Sequence, residues 1–574
     1  MLQYPRRHKL KECPDGGIIF ADMRILRSLR DLPADLGVAV SRRLHEYRKR
    51  CVQRIFKPYP FFYNGFLRNS PCFQEVFPEQ TAAWKSNDTK GNNNMNNDRK
   101  NGLIKHAEEV FSEISRLQKL GLICDDGDFV PSVHYPPITE YPNHTDDECL
   151  GDYTFPEDGM MDIYVHIPFC IQHCVFCHYP GKAGSCDGEK EKYIEYLIRE
   201  MDIYLSRFGV SKLCPRSVLL GGGTPTCLAP DLLEHFLTEF DKRTDLSKCR
   251  QYNVDLDPNS ILGEDGTRRC EIMKNHSVTR LTIGIQSLDN NVLKLMNRAH
   301  TAEMAEEAVR KAVSYGFDVN IEFIYGFPGE TIDNWIEVID RAVKLPVGEI
   351  QLYRLKVQAY GDKQGAIKQL AKRGSGEKDI PDFKTTMLMK QIAVDILAEN
   401  GYHENLRRVY SKEKKMFSHY AYNQCCNLYD QVGFGLTGFS SYRDRFDINT
   451  QYFDEYYSLI DSGKLPITRG YTRPLDEQLR WAIVLPLKNR DIRKADYKKR
   501  TGVDFDTVFR KKVSVLEQYG LIEDTGKVVR LTELGGFVAD EVCEHFNSDR
   551  FKPFPRERYA DGPLNPYLYN NAGD

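Results

Sequence analysis

The sequence predicts an α/β fold in which parallel strands alternate with helices, and three observations carry that prediction. First, six short apolar runs lie near 161–168, 217–222, 251–257, 280–286, 318–325 and 349–357. Amphipathic stretches near 188–207, 230–243, 261–275, 302–315 and 331–344 separate them. Serial β-then-α units of this kind build parallel strands joined by right-handed crossovers. Second, the first run ends in a cysteine loop (Cys170, Cys174, Cys177) and the second in Gly221-Gly222-Gly223-Thr224-Pro225. Chemistry-bearing turns at the C-terminal ends of successive strands are where such folds place their sites. Third, 574 residues at 41% hydrophobic content are ordinary globular material with room for two or three domains. Periodicity alone leaves an open doubly wound sheet and a barrel equally possible.

The elements follow in order. Residues 1–155 form an N-terminal accessory region with helical patterns near 34–54 and 103–120. Between them, 86–102 is an Asn-rich run too polar to bury anything and is expected to be a linker. Ile114–Ile123 reads as a helix ending at a Gly cap, followed by a hairpin. A Pro/Tyr-rich connector around Tyr135–Pro142 leads into the strand–helix repeats. Beyond them, 381–401 is a long helix and Asp430–Ser441 a glycine-rich strand. Residues 474–546 read as a separate unit with helices near 475–487 and 505–519, then a turn and a wing. Its lack of a basic excess favours a lid over a DNA-binding module. The tail 551–574 is expected to be irregular.

Composition excludes several classes. A net charge of −3 with interspersed signs argues against non-specific nucleic-acid binding. No apolar run reaches the length of a membrane span, and the N-terminus lacks a signal-type apolar core. Sixteen scattered cysteines are not a small disulfide framework. An enzyme that needs free thiolates belongs in a reducing compartment, so a cytoplasmic location is expected.

The cysteines carry the sharpest signal. Cys170, Cys174 and Cys177, at CxxxCxxC spacing, follow the apolar stretch Met161–Phe169. Thiolates hold [4Fe–4S] clusters, and a loop this long can wrap three corners of one. Three ligands for four irons leave one iron open, as in a catalytic zinc site with an unfilled position. A zinc knuckle is the alternative; it wants four ligands, and His173 or His178 would have to supply the fourth.

Tyr164-Val-His-Ile-Pro-Phe-Cys170-x3-Cys174-x-Phe176-Cys177 resembles the opening motif of radical S-adenosylmethionine (SAM) enzymes. It is most similar to that of the oxygen-independent coproporphyrinogen III oxidase-like (HemN-like) branch. The resemblance implies a partial (β/α)6 barrel over 156–445 and a winged-helix-like HemN-type lid over 446–550. The N-terminal, mainly helical region stands outside the family layout. The resemblance also implies site roles. Cys170, Cys174 and Cys177 would hold the cluster, and Tyr164 and Phe176 would contact SAM. Gly222, Gly223 and Thr224 resemble the segment that holds the methionyl group. Asp255 stands where the family usually has Glu, and a strand-end cap is its other explanation. Gln286, Arg298 and Glu322 match SAM-binding positions, with Arg298 suited to clamp a carboxylate. His166 shares a strand face with Tyr164, and a core-filling role is its alternative. Tyr353, Lys356, His419, Tyr420 and Asn423 are expected near the pocket from position alone.

One departure bears on function. Oxidases of this branch place a further Cys two positions after the third cluster Cys, and Tyr179 stands there instead. The resemblance therefore implies methyl or methylene transfer to an sp2 carbon, with one SAM on the cluster and a second as co-substrate. The alternatives are a coproporphyrinogen III oxidase-like or heme-modifying enzyme, and a non-catalytic heme chaperone. Expected partners are a small-molecule substrate (an unsaturated natural product or a tetrapyrrole) and a reductase or flavodoxin-type electron donor. No nucleic acid and no membrane are expected.

Overall fold

The computed structural model describes residues 97–124, 127, 133–355, 379–413 and 417–568. The helix expected near 34–54, the run 86–96, most of the hairpin expected after Ile123 and Lys356 lie outside these residues. The expected linker ends before its predicted limit of 102, because the chain is already helical at Asn97 in α1 (Asn97–Lys119). Asp98 sits in its first turn, where the helix dipole favours an acid, and Leu103, Ala107, Ile114 and Leu117 are buried.

Six parallel strands follow: β1 (Met160–Ile167), β2 (Cys214–Gly222), β3 (Gln251–Leu256), β4 (Arg280–Gln286), β5 (Asp318–Tyr325) and β6 (Glu349–Arg354). They alternate with α2 (Asp187–Phe208), α3 (Pro230–Arg243), α4 (Gly263–Asn275), α5 (Ala302–Ser314) and α6 (Ile332–Ala342). Each strand pairs with the next in chain order, all parallel. A doubly wound sheet reverses its strand order; this one does not. With right-handed crossovers, an unreversed order puts the helices on one face and leaves the other as the inside of a partial barrel. That is the predicted fold class.

The sheet does not stop at six strands. After α7 (Phe383–Glu399), β7 (His403–Leu406) and β8 (Val409–Ser411) extend the β6 edge antiparallel. On the other edge, β9 (Gln431–Phe434) pairs parallel with β1. It is followed antiparallel by β10 (Phe439–Ser441), β11 (Arg445–Asn449) and, after α8 (Phe453–Asp461), β12 (Ile467–Thr472). The result is a mixed sheet of 12 strands in the order β12-β11-β10-β9-β1-β2-β3-β4-β5-β6-β8-β7. Two sequence expectations change. Asp430–Ser441 is not one strand but two joined by a turn, since Gly435 and Thr437 take φ of +89° and +55°. A side chain at Gly435 would strike the His166 carbonyl and the Tyr193 hydroxyl. The sheet also continues to Thr472, past the boundary expected at 445.

The C-terminal unit begins with α9 (Leu475–Asn489). Then come β13 (Asp491–Arg493), α10 (Lys494–Thr501), α11 (Phe505–Gln518), β14 (Ile522–Asp524) and β15 (Val528–Leu531). The three strands form an antiparallel sheet in the order β13-β15-β14. Leu479, Trp481, Ile483, Leu485, Phe509, Leu516 and Val529 share its core with Ile114 and Leu117 of α1.

Glu200 ties α2 to the β9 edge. Its carboxylate accepts from the Gly435 N–H at 2.8 Å, Asn449 Nδ2 at 2.7 Å and the Tyr456 hydroxyl at 2.6 Å, all buried. Glu200→Ala leaves the buried Gly435 N–H and Tyr456 hydroxyl unpaired, while Asn449 Nδ2 keeps the Gly435 carbonyl at 2.8 Å, and is expected to cost roughly 3 kcal/mol. Tyr456→Phe removes one hydrogen bond and should cost about 1 kcal/mol. Urea unfolding midpoints of the two variants against the parent check this.

Candidate active site

The C-terminal ends of β1–β6 open into one cavity of about 1120 Å³. Tyr164, Cys170, Cys174, Phe176, Cys177, Gly222, Gly223, Thr224, Asp255, Gln286, Arg298 and Glu322 all line it, as does His166. Positions spread over 159 residues of sequence thus meet at one opening, because parallel strands bring their C-terminal ends to the same side.

The cysteine loop is built from β1 outward. Residues Phe169–Cys170 pair in parallel with Lys182–Ala183 and close the loop at its base. Val175 is buried among Val292, Met296, Phe327 and Leu355, and its N–H donates to the Met296 carbonyl at 3.1 Å. Asn297 Nδ2 donates to the His173 carbonyl at 2.7 Å. These contacts pin the middle of the loop while its three thiols stay half-buried. Burial pushes the Cys177 thiol up to about 11 and raises that of Cys170, partly countered by the Thr224 hydroxyl. Thr224 Oγ1 lies 3.8 Å from Cys170 Sγ, and Arg298 Nη1 lies 3.0 Å from Cys174 Sγ. Three thiols on one cavity, with a guanidinium and a hydroxyl directed at sulfur, fit an anionic iron–sulfur group held by thiolates. Loading that group must displace thiol protons.

Arg298 is fixed from behind. Its Nη2 donates to the Gly284 carbonyl and to Asp257 Oδ2, both at 2.6 Å, and its Nε is buried without a partner. Burial would raise Asp257, but the Arg298 guanidinium, His300 and the Asn259 N–H together more than offset this and hold it down at about 2. Gln286 takes φ +71°, and its Oε1 is buried and unpaired beside the cavity. These orphaned atoms mark places where a polar ligand would be satisfied.

Across the cavity, Gly222 holds φ +98°, and a Cβ there would lie 2.6 Å from the His166 ring. The Tyr164 hydroxyl and His166 Nδ1 lie 2.9 Å apart. Burial lowers His166 to about 4, so the ring is neutral at physiological pH.

The barrel interior holds two carboxyls, Asp255 and Glu322. Burial raises both well above the ordinary carboxylate range, and each disfavours ionisation of the other. Asn253 Nδ2 donates to Asp255 at 2.8 Å. Arg280 stands nearby, bound to Glu349, to Asn253 at 2.8 Å and to Thr282 at 2.9 Å. The Asp255–Glu322 pair therefore holds a proton at neutral pH.

Other features were not legible in sequence. Arg280 and Glu349 sit in apolar strands 69 residues apart and pair only because β4, β5 and β6 are neighbours. The connector Val133–Asn143 and the α9 residues Trp481 and Leu485 form the far wall of the cavity. Of the residues expected near the pocket from position, Tyr353 and Tyr420 line it. His419 and Asn423 do not: Asn423 turns away and donates to Asp162 at 3.0 Å.

Comparison with known proteins agrees with this architecture. Residues 164–342 match the Radical SAM superfamily, and 474–538 match the HemN C-terminal domain. The chain is 26% identical over 421 residues to an oxygen-independent coproporphyrinogen III oxidase of Pseudomonas aeruginosa, covering 70% of this chain and 88% of that protein. It is 27% identical over 299 residues to the heme chaperone HemW of Lactococcus lactis, covering 52% of this chain and 67% of that one. The solved structure of coproporphyrinogen III oxidase (HemN) from Escherichia coli, a radical SAM enzyme, superposes with a TM-score of 0.61 at 19% identity. That match covers 72% of this chain and 96% of the other. Among the described residues no helix is long and apolar enough to cross a membrane.

Alanine at Cys170, Cys174 or Cys177 is expected to abolish iron–sulfur absorption after anaerobic reconstitution. Cys270→Ala, in the buried face of α4, should retain it. Infrared titration should find carboxylic-acid absorption at neutral pH that fades as pH rises, and the Glu322→Gln difference spectrum should lose part of it, the rest belonging to other carboxyls raised by burial such as Glu330 and Glu544.

Proposed function

From a chain that joins a radical SAM domain to a HemN C-terminal domain, we propose a radical SAM enzyme whose substrate is a bulky unsaturated small molecule of tetrapyrrole type. One observation carries this: the three cysteines and the residues expected to contact SAM share a single cavity of about 1120 Å³ with an aromatic far wall. Pockets for a single drug-sized ligand measure roughly 300–1,000 Å³, and this cavity lies above that range, as a site shared by SAM and a second organic molecule would. The named activity of the coproporphyrinogen oxidase relatives supports the substrate class.

In this reading Cys170, Cys174 and Cys177 hold a [4Fe–4S] cluster. Bound there, the cluster supplies the electron that cleaves SAM to methionine and a 5′-deoxyadenosyl radical. The chain's own groups orient and shield. Gly222, Gly223 and Thr224 let the backbone approach the methionyl group. Gln286 and the unpaired Arg298 Nε offer hydrogen bonds at its polar end. Tyr164 and Phe176 wall off water. The protonated Asp255–Glu322 pair gives the barrel floor a hydrogen-bond donor where two free carboxylates would repel an electron-rich substrate. Electrons come from a reductase or flavodoxin-type donor.

Methyl or methylene transfer from a second SAM is the second reading. It is favoured by Tyr179, 65% exposed at the position where the oxidases carry a further cysteine. Thr437, Phe439 and Ser441 of the β9–β10 hairpin also line the cavity, as a second SAM beside the first would require.

Anaerobic reconstitution with dithionite and SAM is expected to give 5′-deoxyadenosine that disappears in Cys174→Ala. With coproporphyrinogen III supplied, loss of carboxyl mass marks oxidase chemistry. S-adenosylhomocysteine and a product heavier by a methyl or methylene mark transfer. Heme binding with no SAM cleavage would overturn the enzyme reading in favour of a chaperone.

A further inference from the structure

The far wall of the cavity is made by parts of the chain outside the radical SAM match. A strap, Val133–Asn143, lies along β12. The Gly470 N–H donates to the Pro142 carbonyl at 3.1 Å, and the His144 N–H donates to the Thr468 carbonyl at 3.0 Å. Tyr135 anchors the strap's start: its buried hydroxyl donates to Glu477 at 2.6 Å and accepts from the Ser548 N–H at 3.0 Å. The strap is thus a fixed part of the cavity, tied to β12 at one end and to the C-terminal unit at the other.

Two features of this wall select a ligand. One is an aromatic slab. Phe439 and Phe446 stack with centroids 5.6 Å apart and planes 3° from parallel. His134 of the strap meets their edges at 4.9 and 5.1 Å, and Tyr164 lies 5.0 Å from Phe439. The other is Arg469. Four arginines line the cavity: Arg280, Arg298, Arg354 and Arg469. Arg280 is neutralised by Glu349 and Arg298 by Asp257, while Arg354 lies over the Phe383 ring. Arg469 instead donates through Nε to the Tyr141 carbonyl at 3.3 Å and through Nη2 to the Ile138 carbonyl. Those acceptors are neutral, and among the described residues Arg469 has no carboxylate partner. The strap therefore orients a guanidinium at the cavity wall without cancelling its charge, and leaves Nη1 to form a charge-assisted hydrogen bond.

We propose that the strap and β12 form an anion subsite in which Arg469 binds a carboxylate on the substrate's ring system while His134, Phe439 and Phe446 pack against the ring. This rests on the reading that the cavity takes an unsaturated organic substrate, and it names the group by which that substrate is held. Arg469 is a specificity residue, positioned by carbonyls of a strap that the radical SAM domain does not supply.

The subsite can be read without turnover. The reconstituted full chain is titrated with 1-pyrenebutyrate and with the neutral analogue 1-pyrenebutanol, following pyrene fluorescence. The parent is expected to bind the carboxylate about tenfold more tightly than the alcohol, the scale of one charge-assisted hydrogen bond. Arg469→Gln should lose that preference while binding the alcohol as the parent does, which shows that the strap and slab are intact. Arg469→Lys should keep part of it. A parent without preference for the carboxylate, or an Arg469→Gln variant that retains the preference, overturns the proposal and leaves Arg469 as a strap clamp. SAM cleavage by the parent alone is measured in parallel. 5′-deoxyadenosine without carboxylate preference means the subsite fails and the radical reading stands. Arg469-dependent preference without 5′-deoxyadenosine means the reverse.

Discussion

The site depends on how β1 is held. Parallel strands must be paired on both edges and covered on both faces, and β1 meets that demand with β2 on one side and β9 on the other. Its residues Met161–Ile167 are all buried. Alternation then sends Tyr164 and His166 into the cavity. The closeness of β9 has a structural condition, since Gly435 lies against the His166 carbonyl where no side chain fits. Near its start, Asp162 is buried with Ser217, Asn423 and Gln424 around it, and burial raises its carboxyl to about 6 despite those donors. The cysteine loop leaves the other end of the strand, so its position is inherited from these pairings.

Charge inside the barrel is arranged by depth. At the floor, Arg280 is matched to Glu349, and burial raises the Asp255 and Glu322 carboxyls, with the Asp255 charge raising Glu322 further. At the level of the cysteines, Arg298 is matched to Asp257 yet still reaches Cys174 Sγ. At the far wall, Arg469 donates to neutral carbonyl oxygens of the strap and, among the described residues, to no carboxylate. Of these three arginines, only Arg469 is without a carboxylate partner among the described residues. An uncompensated half-buried cation is costly unless a ligand completes it, which sets the polarity of what the cavity accepts.

The N-terminal and C-terminal parts act on the site through the same wall. The strap reaches Glu477 of α9, and α9 itself contributes Trp481 and Leu485 to the cavity. The helical C-terminal unit is therefore continuous with the pocket lining. Residues before the radical SAM match are part of it as well.

The sequence by itself determined the repeating strand–helix order, the cysteine loop and the residues expected to contact SAM. Each of these is local: a run of apolar residues, a spacing of thiols, a glycine turn after a strand. The fold class followed from them and from the resemblance they carry. Only the tertiary structure decided what lies opposite the cysteines. Arg280 finds Glu349 through sheet order, and among the described residues Arg469 meets the carbonyls of the strap and no carboxylate. The glycine-rich segment at 430–441 turns back on itself because Gly435 and Thr437 take left-handed backbone angles. Helix α1 buries Ile114 and Leu117 in the C-terminal core, a packing that composition could not reveal. Local pattern writes an element and its chemistry. Which side chains share a cavity, and which charges stay unpaired, depends on contacts between segments hundreds of residues apart.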